Sequence, residues 1–285
     1  MSIICKELNK TFSDKEAMFK ELAQNEEIII DAKKSEVYKS IDKGVQLVTN
    51  QESIKKALES TTNKGIKFDN DYYYFVVNSA NILDSHSDVH VDGNWNKNVK
   101  DQQGKVYLVF DHSLKRNDII AMRKDVEMFT ASIPFSLLGK SYDGETYSLV
   151  YKVAKDKIVN KEAKEWLEDG HELEASVRMQ YIKMESAFNS DNQDYAKQKA
   201  TFDEYYPLIA NKEDFDEINY FWVVKEAKNV FESSLVLFGS NSATGVINNK
   251  DNEAVNDTST TEAEQSLQIE ETQKEQLKQL LSKFK

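Results

Sequence analysis

From residue 72 onward the chain breaks into short apolar runs rich in β-branched and aromatic side chains, at 72–78, 106–110, 129–135, 147–153, 175–184, 220–224 and 231–238. Such residues suit a pleated, half-buried surface, where a branched or ring side chain packs against its cross-strand neighbours. Seven runs of this kind predict a mainly antiparallel barrel or sandwich. The stretch 160–169 breaks the pattern and reads as a helix, with Asn160 as its cap and Gly170 as its stop, leading into the 175–184 run. The expected fold class is therefore α+β, with helices peripheral to a sheet core.

The flanks differ in texture. Residues 1–65 are polar and helix-biased and are expected to form an N-terminal arm. One helix begins at a Ser13 cap with Glu16 three residues on, a capping-box spacing, and Met18, Phe19 and Leu22 form its apolar stripe. A second is expected over 51–60, where Ile54, Ala57 and Leu58 fall together. The main domain spans 66–246, and within it 186–219 is an acidic, tyrosine-rich insertion expected to be a solvated surface excursion. Residues 247–261 have the composition of a linker that cannot bury enough apolar surface to order itself. Over 262–285, Ile269, Leu277, Leu280, Leu281 and Phe284 restore a helical rhythm, so the chain is expected to end in an amphipathic helix on a flexible C-terminal tail.

Composition narrows the function. With 40% hydrophobic residues, the 285-residue chain can bury one sizeable core. A net charge of -12 argues against nucleic acid as a partner, because non-specific binding rests on Lys and Arg neutralising phosphates. Gly139, Gly144 and Gly170 are isolated, so no phosphate-cradling glycine loop is present. The lone Cys5 has no partner for an internal disulfide. No run approaches the ~20 apolar residues of a membrane span, and the first residues do not read as a leader. A cytoplasmic protein without membrane contact, cofactor or metal is expected.

Four histidines limit the places where acid–base chemistry could reside. His112 closes the 106–110 run, which would hold its imidazole on rigid backbone, and Ser176 lies in the 175–184 run. A serine hydroxyl becomes a nucleophile when a neighbouring imidazole accepts its proton. On a strand, Ser176 shares a face with Arg178, whose charge could support a developing oxyanion directly or through a water. Glu232 is a carboxylate inside an apolar strand. It is either a buried group that needs a partner, and so a candidate to orient His112, or a solvent-facing edge residue. Asp111, Glu172 and Glu174 are weaker candidates for that third role. The rival cluster is Asp84, His86, Asp88 and His90, whose period-two spacing would place four metal-ligating side chains on one face of a strand.

Four segments in order carry a family resemblance. They are Asn-Ile-Leu-Asp-Ser-His-Ser-Asp at 81–88, Phe-Asp-His at 110–112, Glu-Ala-Ser-Val at 174–177, and Phe-Glu-Ser-Ser-Leu-Val-Leu-Phe-Gly-Ser-Asn-Ser-Ala at 231–243. Together they resemble the caudovirus prohead maturation serine proteases, relatives of the herpesvirus assemblins. The resemblance spans roughly residues 72–246 and implies an assemblin-like, mainly antiparallel β-barrel. It implies His112 as general base and Ser176 as nucleophile, with Glu232 in the last motif as third member. The activity implied is that of an endopeptidase that cuts capsid protein, scaffold segments and itself inside the procapsid, in the host cytoplasm. A homodimer is a further implication. The readings set against it are a non-catalytic structural or scaffold protein of the same assembly, and a metal-dependent hydrolase built on His86, Asp88 and His90.

Overall fold

Strand β10, Tyr220–Val236, organises the molecule. In the sequence it looks like two runs, 220–224 and 231–238, yet the computed structural model, which describes residues 2–35, 69–171, 173–237 and 243–247, makes them one strand of 17 residues. The second N-terminal helix at 51–60, the linker from 248 on, the helix at 262–285 and Glu172 lie outside the described residues. One flank of β10 pairs antiparallel along its length with β9, Glu174–Phe188. The other flank pairs parallel with two short strands in tandem, β4 (Asp88–His90) and then β5 (Tyr107–Phe110). β6, Ile119–Ala121, adds antiparallel to β5 and completes this five-stranded sheet.

A second sheet is antiparallel throughout, in the order β11 (Gly245–Ile247), β3 (Tyr72–Ser79), β8 (Glu145–Ala154), β7 (Val126–Pro134). Alternate residues of the two sheets, among them Phe75, Val77, Leu149 and Tyr151 from one and Leu108, Ala175, Val177 and Leu235 from the other, share one apolar core. The fold is thus mixed α+β, with five α-helices among the described residues. Among the described residues none of the sheets closes into a barrel, and the pairing of β10 with β4 and β5 is parallel.

The N-terminal residues fold onto the five-stranded sheet. A two-stranded ribbon of β1 (Ile3–Cys5) and β2 (Lys10–Phe12) precedes α1, Lys15–Gln24, and α2, Glu26–Ser35. The α1 stripe of Met18, Phe19 and Leu22 is fully buried as its spacing requires, and Phe19 stacks on Phe188 of β9 with ring centroids 5.5 Å apart. Its cap is Asp14 rather than Ser13: the Asp14 carboxylate accepts from Ala17 N–H at 2.8 Å. Glu16 does not close a capping box because its carboxylate accepts from Ser190 instead, at 2.9 Å.

Helix α3 spans Asn96–Gln102, and α4, Lys161–Asp169, has the termini expected of it. Asn160 Oδ1 accepts from Ala163 N–H at 3.0 Å, and Gly170 ends the helix in the left-handed region at φ 76°. The acidic segment 186–219 is not the solvated excursion its charge suggested. Its helix α5, Ala196–Tyr205, buries Phe202 against Phe221 of β10 at 5.3 Å, and the Asn211 amide bonds both N–H and C=O of Leu83. Its carboxylates stay outside while Tyr195 and Phe202 pack inward.

Candidate active site

The face of the five-stranded sheet opposite the shared core brings Ser176, His112 and Glu232 together. On β10, Glu232 and Ser234 lie two residues apart and so project to the same side. Ser234 pairs directly with Ser176 of β9, and on the other flank with Val109 of β5. His112 follows the end of β5, where Asp111 and His112 both adopt left-handed backbone, φ 46° and 54°. Neither has the freedom of glycine, and each such residue costs about 1–2 kcal/mol. The Asp111 N–H donates to Leu235 C=O at 3.0 Å and the His112 N–H donates to Ser234 Oγ at 2.7 Å. These two bonds hold the strained turn and set the imidazole above the sheet.

The hydrogen bonds run in one direction. Ser234 Oγ–H donates to Glu232 Oε2 at 2.9 Å, and His112 Nδ1–H donates to Glu232 Oε1 at 2.9 Å. A carboxylate only accepts, so the imidazole proton is assigned to Nδ1 and Nε2 is left as the acceptor. Ser176 Oγ–H then donates to His112 Nε2 at 3.0 Å. The three side chains are distant in sequence and buried, with Ser176 and His112 each 5% exposed and Glu232 fully enclosed. Burial strengthens such a chain, and it would be costly if any member lacked its partner.

A bulge in β10 gives Glu232 its place. Asn229 pairs with Met179, whereas Ser233 pairs with Val177, so β10 carries two extra residues over this interval. Continuing the Asn229 register would set Glu232 directly across from Ser176. The bulge moves Ser234 into that position and sets Glu232 back along the strand, with His112 bonded to both Glu232 and Ser176. Phe231, within the bulge, is left-handed at φ 69°. Asn229 fastens the distortion: its Nδ2 donates to Glu232 C=O at 2.8 Å and Arg178 C=O at 3.1 Å, and its Oδ1 accepts from Tyr151 O–H at 2.9 Å. Its own N–H donates to Asn98 Oδ1 at 2.7 Å.

Other candidates fall elsewhere. Arg178 is on the Ser176 face but its guanidinium lies over the Phe231 ring, 5.6 Å from the centroid, and its Nε is buried with no hydrogen-bond partner among the described residues. Asp111 is exposed, while Glu174 is buried and pairs with Val236. Ser234 and Asn229 escaped the sequence reading. A Glu-x-Ser spacing on one strand marked the first, and nothing local marked the second.

The Asp84–His90 segment is not one strand. The chain reverses at 84–87, with Ser87 left-handed at φ 61° and the Asp84 N–H donating to Asp88 C=O at 3.0 Å, so the four side chains do not share a face. Asp84 Oδ1 accepts from the N–H groups of His86 and Asp88, both at 2.9 Å. Asp88 accepts from Lys33 Nζ at 2.7 Å and Tyr181 O–H at 2.8 Å. Burial raises the pKa of both carboxyls, for Asp84 helped by the charge of Asp88 and for Asp88 opposed by Lys33. His90 is stacked on Trp95 at 5.8 Å, with Nδ1 2.7 Å from Asn94 Nδ2, and burial lowers its pKa to about 3. No group of three or more His, Cys, Asp or Glu placed to hold a metal occurs among the described residues.

No described helix is long and apolar enough to cross a membrane. No protein-family model, curated protein or solved structure matches the chain.

Proposed function

We propose that the protein is a serine endopeptidase of the prohead-maturation type, with Ser176 as nucleophile, His112 as general base and Glu232 as the group that orients and stabilises the imidazole. The observation that carries this reading is the unbroken series Ser176 Oγ to His112 Nε2 at 3.0 Å and His112 Nδ1 to Glu232 Oε1 at 2.9 Å. Those are the distances at which an imidazole can take a proton from a hydroxyl. The ordered motifs of the assemblin-like family supply the substrate class, namely capsid and scaffold segments and the chain's own flanks within a procapsid. They also supply the barrel reading of the two sheets and the pairing of two copies as a homodimer.

In the first step the Ser176 Oγ–C bond forms at the scissile carbonyl as the hydroxyl proton passes to His112 Nε2. Collapse of the tetrahedral intermediate breaks the C–N bond, and His112 returns that proton to the departing amine. Water then attacks the acyl-enzyme, giving one proton to His112. The ester C–O bond breaks, the proton returns to Ser176 Oγ, and a carboxylic acid leaves. Glu232, bonded to Nδ1–H and to Ser234 O–H, offsets the charge of the imidazolium. The Arg178 guanidinium, two residues along the strand, would supply positive charge near the oxyanion.

The 5% exposure of Ser176 and His112 also suits a second reading, a structural protein of the capsid in which the triad is a polar core. Co-expression with the capsid protein separates the two. Processing and fluorophosphonate labelling of Ser176 in the wild type, both lost in Ser176→Ala and His112→Ala, are expected of the protease. Processing that persists in both variants rules it out.

A further inference from the structure

Ser234 is fully enclosed on β10, paired with Ser176 of β9 on one flank and with Val109 of β5 on the other. Val109 lies three residues before His112, so the nucleophile and the base are both referred to one position of β10. For Ser176 the strand pairing is enough, because the residue sits within the ladder. For His112 it is not: the imidazole stands beyond the end of β5, on the second of two consecutive left-handed residues. Outside glycine that conformation persists only where surrounding groups hold it. What holds the base at the right distance is therefore a side-chain question.

The Ser234 hydroxyl meets His112 by two routes. Its Oγ accepts from the His112 N–H at 2.7 Å, and its proton goes to Glu232 Oε2 at 2.9 Å, while Glu232 Oε1 accepts from His112 Nδ1–H at 2.9 Å. Backbone and ring of the base are thus tied into one closed loop of bonds. A hydroxyl has a single proton to give, and each carboxylate oxygen takes one donor, so the carboxylate cannot turn without breaking a bond. That fixes the imidazole from the side remote from Ser176, with Nε2 toward the nucleophile. Glu232 and Ser234 are both fully enclosed, so deleting the hydroxyl would leave the His112 N–H and Glu232 Oε2 without the partner each now has.

We infer that Ser234 is a positioning residue of the enzyme, whose hydroxyl keeps His112 at proton-transfer distance from Ser176 by gripping the backbone of the base and its carboxylate partner at once. The inference rests on the endopeptidase reading above. It is tested by the kinetics with which a fluorophosphonate inactivates the folded full chain, resolving the maximal rate kinact from the binding constant KI in wild type, Ser234→Ala and Ser234→Thr. In Ser234→Ala, kinact is expected to fall about 10- to 100-fold, the scale of leaving buried polar groups unpaired. KI should stay within about twofold, because Ser234 does not touch the probe. Ser234→Thr keeps the hydroxyl and is expected to recover most of the rate. Should Ser234→Ala not fold, Ser234→Cys, similar in size and a weak donor, carries the same expectation. A kinact in the hydroxyl-free variant within about threefold of wild type, or a Thr variant as slow as it, overturns the inference and leaves the peptidase standing. A wild type that the probe does not label at Ser176 overturns both.

Discussion

Strand β10 borders two buried polar clusters, one near each end, built from similar residues to different effect. Near 222–224, Asp88 on the adjoining β4 is held by Lys33 and Tyr181, and His90 sits between rings with Asn94 on its Nδ1. Near 232–235, a carboxylate, an imidazole and a hydroxyl are joined end to end. In the first cluster the carboxylate is matched by a lysine, and no hydrogen bond joins it to the histidine among the described residues. In the second the histidine is bonded through both nitrogens, one to an acceptor and one to a donor. A buried ion pair of the first kind fastens helix to sheet. A chain of the second kind leaves a proton somewhere to go.

The largest effect that tests this contrast is kinetic. Ser176→Ala or His112→Ala is expected to lower peptide hydrolysis by about 10⁶-fold, with the two losses not adding, because the residues act as a unit. Retained hydrolysis in either variant would place the chemistry elsewhere. Glu232→Gln is expected to cost about 10⁴-fold in kcat, since an amide facing Nδ1 favours the wrong tautomer and cannot accept from both His112 and Ser234. A loss below tenfold would reduce Glu232 to a packing residue.

The other cluster should answer in stability instead. Lys33→Met strands Asp88 without its cation and is expected to cost about 3–5 kcal/mol of unfolding free energy by urea titration. Residual activity of the folded fraction should be near wild type. A kinetic defect as large as that of Glu232→Gln would erase the distinction between the clusters.

The smallest effect concerns pH. His90 ionises near 6.5 when unfolded but at about 3 in the fold, so across that interval the unfolded chain binds a proton that the native chain refuses. The contribution of neutral His90 is complete above pH 6.5 and is lost progressively as pH falls toward 3. Asp84 and Asp88, with raised values, act in the opposite sense, gaining stability as pH falls. The measurement is therefore the difference between wild type and His90→Gln. Between pH 7 and 5 wild type should lose about 2 kcal/mol relative to the variant, and parallel curves would show that His90 is not the buried neutral group described.

The sequence makes some of this legible and hides the rest for physical reasons. Local chemistry is visible: Asn160 and Gly170 mark the ends of α4, Met18, Phe19 and Leu22 mark the buried face of α1, and a Glu inside an apolar strand points to a partner. Ser13 fails as a cap because the helix starts one residue later, with Asp14 accepting from Ala17 N–H, and Glu16 is drawn to Ser190, a residue 174 positions away. The Asp84–His90 spacing is misleading because alternation means one face only where the chain stays extended, and it turns at Ser87. The union of two runs into β10 is hidden because polar residues at 225–229 interrupt the apolar pattern and the bulge after them is fastened by Asn229 through bonds to Tyr151 and Asn98. Pairings over 64 and 120 residues leave no periodic trace.

The bulge has a consequence for folding fidelity. A one-residue slip of β10 would turn every apolar side chain to the wrong face and is rejected by the core, but a two-residue slip preserves the alternation. In that slipped register Glu232 faces Ser176, the imidazole loses its anchor, and Phe231 and Ser233 take the core positions of Ser233 and Leu235. Alternation alone does not choose between them, since both keep the same parity of faces. The amide of Asn229, fully enclosed and bonded to Tyr151, Arg178 and Glu232, holds the observed register together with the burial of Leu235. Asn229→Leu is expected to loosen the bulge, so that a share of the folded chains lacks the Glu232–His112 contact. The signature is a reduced fraction of protein titratable by fluorophosphonate, with normal turnover in the part that reacts.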